Sequence, residues 1–393
     1  MTESLVLDVL LVLALLGAVS VGFRAGFTGS AIALVGIVAG VVAALFLSPI
    51  VASWVPVPFL RIGVTVGVAL LLVLAGFGIG RAIGRGIRRG IGKSPLSGID
   101  RVLGALAAGV VAALVASTMS FSVGQLGVPV LSRSIAGSVV LRTIGTLTPD
   151  PVEAFLAQLR GAVVDQGIPL IADALGGGTP AIPQIDTGSP ALNTAAQSVV
   201  RITGNAYACG QSQSGTGFVV APDRVVTNAH VVAGVTEPVI DALDGQALSA
   251  SVVYFDPIDD LAVLAVPGLD APVLPLASTL APGTDAAFEG YPYGGPFSSS
   301  PAAVVSVGPA QIKDIYGETG SSRDTYTLAA TVREGNSGGP LLTLDGQVAG
   351  VVFARSADNP DVGYAMTMTE LDPVAAQAGA LDAAVSSGDC IRD

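Results

Sequence analysis

The sequence predicts two unlike halves, an all-α membrane domain of four spans followed by an all-β domain. Three observations carry this. Of the 393 residues, 51% are hydrophobic and only 12% are charged, with 50 glycines. That balance is too apolar for an ordinary soluble chain and points to membrane spans. The charge is also divided: residues 1–124 hold 8 Lys and Arg against 3 Asp and Glu, whereas 125–393 hold 10 against 27. Past about residue 198 helical periodicity gives way to short β-type runs separated by turns. The acidic second half argues against nucleic acid as a partner.

Four apolar runs, roughly 5–23, 31–47, 62–79 and 102–121, each approach the ~20 residues a helix needs to cross a bilayer. A cleavable signal peptide is the ordinary alternative for the first. Its start, however, carries Glu3 and no basic residue, and three more runs follow. Arg81, Arg85, Arg88, Arg89, Lys93 and Arg101 fall between the third and fourth runs, and Arg24 between the first and second. Loops rich in Arg and Lys stay cytoplasmic. Both termini are therefore expected outside, giving a multi-pass plasma-membrane protein whose acidic half is extracytoplasmic and whose first partner is the lipid bilayer. The stretch GFRAGFTGS (22–30), together with the Gly-rich spans, resembles the colicin V production protein type of membrane domain.

The connection covers 125–190. Asp150, Pro151 and Glu153 fit an N-cap, a first-turn proline and a capping-box partner. Val152, Phe155, Leu156, Leu159 and Val163 follow at helical spacing. From 176 the text GGGTPAIPQIDTGSP reads as an extended linker. The membrane domain is thus drawn at 1–124 and the β domain at 191–393.

In the β domain the expected strands include SVVRITG (198–204), GTGFVVAPD (215–223), RVVTNAHVV (224–232), LAVLAV (261–266) and QVAGVVFA (347–354). Three short words stand out among them. The only histidine of the chain, His230, lies in TNAHVV; Asp259 and Asp260 precede the LAVL run in FDPIDDLAVL; Ser337 lies in GNSGGP (335–340). Alone, a Gly-rich turn is often structural, and a lone histidine in an apolar strand is ordinarily a core residue. Together they compose a nucleophile, a base and an acid. A serine hydroxyl needs a base to take its proton, and the base needs an acceptor on its other ring nitrogen to fix the tautomer. Asp260 abuts the strand directly, with Asp259 and Asp256 as the other candidates. Gly335 and Gly338 allow a sharp turn on which the N–H groups of Gly335 and Ser337 can converge on a developing oxyanion. An imidazole base must be neutral, so cleavage is expected to fade as pH falls through ~6.5.

The order His, Asp, Ser and the words TNAHVV, DLAVL and GNSGGPL resemble the chymotrypsin-like serine proteases, and their bacterial HtrA-like branch in particular. EGYPYGGPF (289–297) is similar to that branch as well. The resemblance implies a double β-barrel, a serine endopeptidase, and the residue six before Ser337, Thr331, at the floor of the S1 pocket. That floor carries no charge, so a small or apolar P1 residue is expected. Cys209 and Cys390 bracket the domain, and an exported location favours a disulfide between them. It would close a loop of roughly 180 residues, for which chain entropy gives ~5 kcal/mol. Four spans followed by an exported trypsin-like domain are similar to the membrane-anchored acid-resistance periplasmic proteases of actinobacteria. This implies cell-envelope proteins as substrates and a role in acid or oxidative stress. No cofactor or metal is expected. The alternative is a membrane transport or scaffold protein whose β domain binds peptides without cutting them.

Overall fold

The computed structural model describes residues 2–53, 97–124, 138–149, 168–171, 180–206, 211–243 and 245–391, with shorter stretches within 68–86, 134–135 and 151–156. Two compact units result, one spanning Val6–Ser117 and the other containing Thr118–Asp393.

The first unit is helical. Among the described residues two helices, Ser4–Ala33 and Ser97–Ser117, are long and apolar enough to cross a membrane, rather than the expected four. The first two expected runs lie along one helix, α1 (Thr2–Ser53), interrupted only at Gly26 (φ 71°, ψ 164°). A loop was expected around Arg24; a single left-handed glycine makes a kink there instead. The third expected run lies mostly outside the described residues. The fourth is α2 (Ser97–Gly124).

The Gly26 break would leave the N–H groups of the restarted helix without partners. Asp100, in the first turn of α2, supplies one: its Oδ1 accepts from Thr28 N (3.0 Å) and Thr28 Oγ1 (2.8 Å). The two helices can approach this closely because the crossing is glycine. A methyl group on Gly104 would collide with the backbone of Gly22, Gly26 and Phe27. Close backbone approach of this kind is how helices associate where no hydrophobic effect drives them together.

In the second unit, α3 (Val139–Leu147) is capped by the Ser138 hydroxyl, which accepts from Leu141 N at 3.1 Å. Pro151 and Val152 are helical, while the expected cap residues Asp150 and Glu153 lie outside the described residues. A two-residue strand, β1 (Leu170–Ile171), follows. Ser189 and Pro190 then open a short helix, α4 (Pro190–Ala195), against the β domain.

The β domain is two seven-stranded sheets. The first contains β2 (Val199–Ala206), β3 (Gln211–Ala221), β4 (Arg224–Thr227), β5 (Val239–Asp241), β6 (Ala247–Ser249), β7 (Ser251–Asp256) and β8 (Leu261–Ala265), in the order β6-β5-β2-β3-β4-β8-β7. Its two ends are joined by continuous chain, since one residue separates β6 from β7. The second contains β1 with β9 (Asp285–Gly290), β10 (Ser298–Lys313), β11 (Gly320–Ala329), β12 (Pro340–Leu342), β13 (Val348–Ser356) and β14 (Val362–Met366), and it closes by pairing β13 with β14. A last helix, α6 (Met368–Ala378), caps the domain.

Alternation along each strand builds the cores. On β8, Ala262 and Leu264 face Val200, Ile202, Val225 and Ile240 inside the first barrel. Leu261 and Val263 point the other way, into a shared cluster with Phe218, Val351, Phe353 and Leu342. Val352, between two members of that cluster, joins Phe288, Tyr326 and Leu341 inside the second barrel.

Candidate active site

The run RVVTNAHVV is not one strand. β4 ends at Thr227, and Ala229–Val232 form a single helical turn, α5, whose four residues are all buried. The turn holds His230 in place of a strand end. Asp260 stands in the turn between β7 and β8 with a left-handed backbone (φ 56°), a conformation that Asp tolerates better than most residues. Its carboxylate grips the histidine twice. Oδ2 and Oδ1 lie 2.8 and 3.0 Å from His230 Nδ1, and Oδ1 also accepts from the His230 backbone N–H at 2.9 Å. Asn228 Nδ2 donates to the Asp260 carbonyl at 2.9 Å.

Of the three candidate aspartates, only Asp260 touches the imidazole among the described residues. Asp256 is spent on its own turn, accepting from Ile258 N and Asp259 N. Asp259 is pushed up by burial and then by the Asp256 charge, an effect that Arg323 eases. With Asp260 on Nδ1, Nε2 is the ring atom left free to accept a proton.

Ser337 belongs to the other barrel, on the turn between β11 and β12. Gly338, its neighbour, has φ +82°, and a methyl there would collide with the Thr216 carbonyl and the Thr227 hydroxyl and come within 3.0 Å of Asn228 N. The serine turn therefore packs directly on the residues that open the His230 turn. The peptide orientations follow from planarity, because N–H and C=O of a trans peptide point in opposite directions. The Glu334 carbonyl accepts from Tyr293 N (2.6 Å), and the Asn336 carbonyl from Gly339 N (2.9 Å). The N–H groups of Gly335 and Ser337 are thereby turned the other way, and neither has a partner among the described residues. The Ser337 hydroxyl is buried and also without a partner there. The expected hydroxyl–imidazole hydrogen bond is thus not made in this arrangement, although the histidine–aspartate half is.

Comparison with known proteins accords with this geometry. Residues 215–351 match the trypsin-like peptidase domain, and residues 7–149 match the colicin V production protein. Serine protease Rv3671c of Mycobacterium tuberculosis (MarP) is 35% identical over 100% of both chains. The chain belongs to this family of serine proteases. The crystal structure of the Rv3671c protease in its active form superposes with a TM-score of 0.52 at 38% identity, over 56% of this chain and 100% of that one. A DegP-like periplasmic serine endoprotease of Halomonas elongata is 32% identical over 42% of this chain and 34% of its own length.

Within this serine protease, sequence reasoning missed one residue that holds the Ser337 turn. Thr216 Oγ1 donates to the Gly335 carbonyl (2.6 Å) and accepts from Tyr291 N (3.0 Å), while Thr216 N donates to the Ser337 carbonyl (2.9 Å). EGYPYGGPF is its second support. Arg333 Nη1 donates to Tyr293 Oη at 3.3 Å, and Arg201 bridges Asp241 in the first barrel (2.8 Å) and the Gly294 carbonyl (2.9 Å). These partners are 75 to 119 residues apart in pairs such as Thr216–Tyr291 and Thr216–Gly335, so no local word announces them.

Thr331 is half-buried, and its hydroxyl donates to Asp361 Oδ1 at 3.1 Å. Thr331 itself is uncharged, as read from the sequence, and a carboxylate, that of Asp361, adjoins it. Cys390 lies beside Gly234, whose N–H donates to the Ser387 carbonyl at 3.1 Å. There is no free cysteine among the described residues, and Cys209 lies outside them.

Below the histidine a cavity of about 570 Å³ opens, lined by His230, Asp260, Lys313, Arg323 and the segment Pro169–Ile171. One buried acid is unaccounted for by these roles. Glu289, on β9, is 0% exposed, and neither carboxylate oxygen has a well-formed hydrogen bond among the described residues. Burial pushes its carboxyl up to about 7, while the cross-strand Ser299 hydroxyl pulls it back slightly.

Proposed function

We propose that this serine protease is a membrane-tethered, extracytoplasmic endopeptidase in which Ser337 is the nucleophile, His230 the base and Asp260 the residue that orients the base. The observation that carries this reading is the grip of Asp260 on His230 Nδ1 at 2.8 Å, with the serine turn packed against the same segment. A peptide bond approaching Ser337 brings its carbonyl carbon to the hydroxyl. As Oγ bonds to that carbon, its proton passes to His230 Nε2, and Asp260 stabilises the imidazolium without taking the proton itself. The carbonyl oxygen, now an oxyanion, is received by the N–H groups of Gly335 and Ser337. One such donor is worth roughly 3 kcal/mol of transition-state stabilisation. The imidazolium then protonates the leaving amine, and water, deprotonated by the same base, releases the acyl group.

Thr331 serves as the S1 floor in this reading, and its bond to Asp361 makes that floor polar. Cys209 and Cys390 form a clasp between the ends of the β domain. In support, Cys390 Sγ and the Ala206 side chain, three residues before Cys209, both crowd Gly234. The 1–124 region anchors the enzyme through four membrane segments, with the 191–393 domain outside the cytoplasm and residues 125–190 between them. Cell-envelope proteins are the substrates, in acid or oxidative stress, as the family resemblance implies.

The test is Ser337→Ala. Peptide hydrolysis and labelling by a serine-reactive fluorophosphonate should both vanish. Labelling that is equal in wild type and variant would sink the assignment.

A further inference from the structure

The substrate-binding edge beside the serine turn already carries an occupant from this chain. β13 pairs with β12 as far as Val351, and Val352 is bonded to the serine turn, donating to the Gly339 carbonyl (2.9 Å) and accepting from Gly338 N (2.8 Å). β12 then leaves this edge. The next groups on it, the N–H of Arg355 and of Ala357, are taken by the carbonyls of Pro169 (3.1 Å) and Ile171 (2.9 Å). β1 thus lies in line with the nucleophile along one strand edge, three residues or roughly 10 Å beyond Val352. An unpaired strand edge next to catalytic groups is where an extended peptide gains main-chain hydrogen bonds. The opposite edge of β13 is closed by β14.

Three features suit β1 to hold this edge without being cut there. It pairs parallel to β13, so Pro169 to Ile171 run away from the serine turn in the same direction as Arg355 to Ala357. The bond nearest the nucleophile, Ile168–Pro169, is an imide with no N–H to donate. The segment is also anchored: Ile168 is 7% exposed in the core of the second barrel, and Ile171 packs on the shared cluster. Leu170, between them, is 59% exposed. The same three residues, Pro169, Leu170 and Ile171, wall the cavity that opens on His230 and Asp260.

We propose that Ile168–Ile171 is an autoinhibitory strap, an internal strand that occupies the peptide-binding edge of β13 and must be displaced before an extended substrate reaches Ser337. This deepens the reading above and rests on its choice of nucleophile. The strap lowers the share of chains competent for long peptides, and releasing it raises apparent affinity by the same factor. Small reagents that engage only the hydroxyl are unaffected.

The test uses the full chain in detergent micelles, with Ile171→Pro, which removes a ladder N–H, and Leu170→Pro at the exposed position. Hydrolysis of an extended fluorogenic peptide should rise about tenfold in kcat/KM, with the rate of fluorophosphonate labelling unchanged. A second measurement needs no variant. Amide hydrogen exchange of the wild type, before and after reaction with a peptidyl phosphonate, should show residues 168–171 losing protection as the peptide takes their place. Unchanged peptide hydrolysis with intact labelling, or retained protection at 168–171 with the inhibitor bound, overturns the strap alone. Absence of labelling in every form overturns the choice of Ser337 and the strap with it.

Discussion

Thr216 and Gly335, 119 residues apart, are joined by a 2.6 Å hydrogen bond from the threonine hydroxyl to the glycine carbonyl. The same hydroxyl accepts from Tyr291 N at 3.0 Å, so one side chain ties the serine turn to the segment that braces it. Thr216→Val keeps the shape and removes both bonds, leaving a buried carbonyl and a buried N–H unpaired at a cost of about 1–3 kcal/mol each. The expected result is a fall of about 10- to 100-fold in kcat/KM, with Thr216→Ser restoring most of it. Equal activity of the valine and serine variants would remove Thr216 from the machinery.

Asp260 contacts His230 through both the ring and the backbone. Asp260→Asn should leave the fold in place and lower kcat by on the order of 10⁴, because the amide favours the wrong tautomer. Asp259→Asn, in contrast, should retain activity within a few-fold. A stopped assay with one peptide substrate distinguishes the two, and the reverse ranking would reassign the acid.

Glu289 ties stability to pH. Its folded pKa, about 7, lies above the ordinary 4.5, so the folded state holds the proton more tightly than the unfolded chain. The stability it contributes is fully present below about pH 4.5 and is lost as pH rises through about 7, a span of about 3 kcal/mol. Glu289 in turn acts on Tyr291, whose own pKa is raised by burial and by the charges of Asp241 and Glu289 against the pull of Arg201. Glu289→Gln should raise the melting temperature at pH 8 and change it little at pH 4. A wild-type melting temperature that climbs between pH 5 and 8 would contradict this.

The proposed Cys209–Cys390 clasp predicts loss of about 2–5 kcal/mol on reduction. Thermal unfolding with and without a thiol reductant measures it. The double Ser variant should match the reduced wild type and no longer respond to reductant.

In the helical unit, Asp100→Ala removes two hydrogen bonds to Thr28 and should cost about 2–4 kcal/mol. Circular dichroism of unfolding in micelles reads the change. Full stability of the variant would mean the Gly26 break needs no partner from α2.

The contact between His230 and Asp260 and the turn carrying Ser337 were legible because each lies in a short word whose chemistry is local: TNAHVV, DDLAVL and GNSGGP. What surrounds them was less so. AHVV has the apolar text of a strand yet forms a helical turn, because the chain must leave β4 at Asn228 to bring the imidazole to Asp260. Thr216 looked like any strand threonine, its partners being far along the chain. β1 is two residues long, and its place is set by the edge that β12 vacates rather than by its own sequence. In the helical unit, hydropathy located the apolar text but could not distinguish a loop from a kink at Gly26, where one backbone angle decides.

The imidazole and carboxylate come from one barrel and the hydroxyl from the other, and the shared cluster of Phe218, Leu261, Val351 and Phe353 lies between. In the proposed mechanism the gap a proton must cross is therefore set by how one barrel seats on its neighbour, while each barrel keeps its own fold. A shift along that seam would change the separation of hydroxyl and imidazole with no strand unravelled. On that reading, whatever shifts one barrel against the other would act on the chemistry without ever touching the reacting atoms.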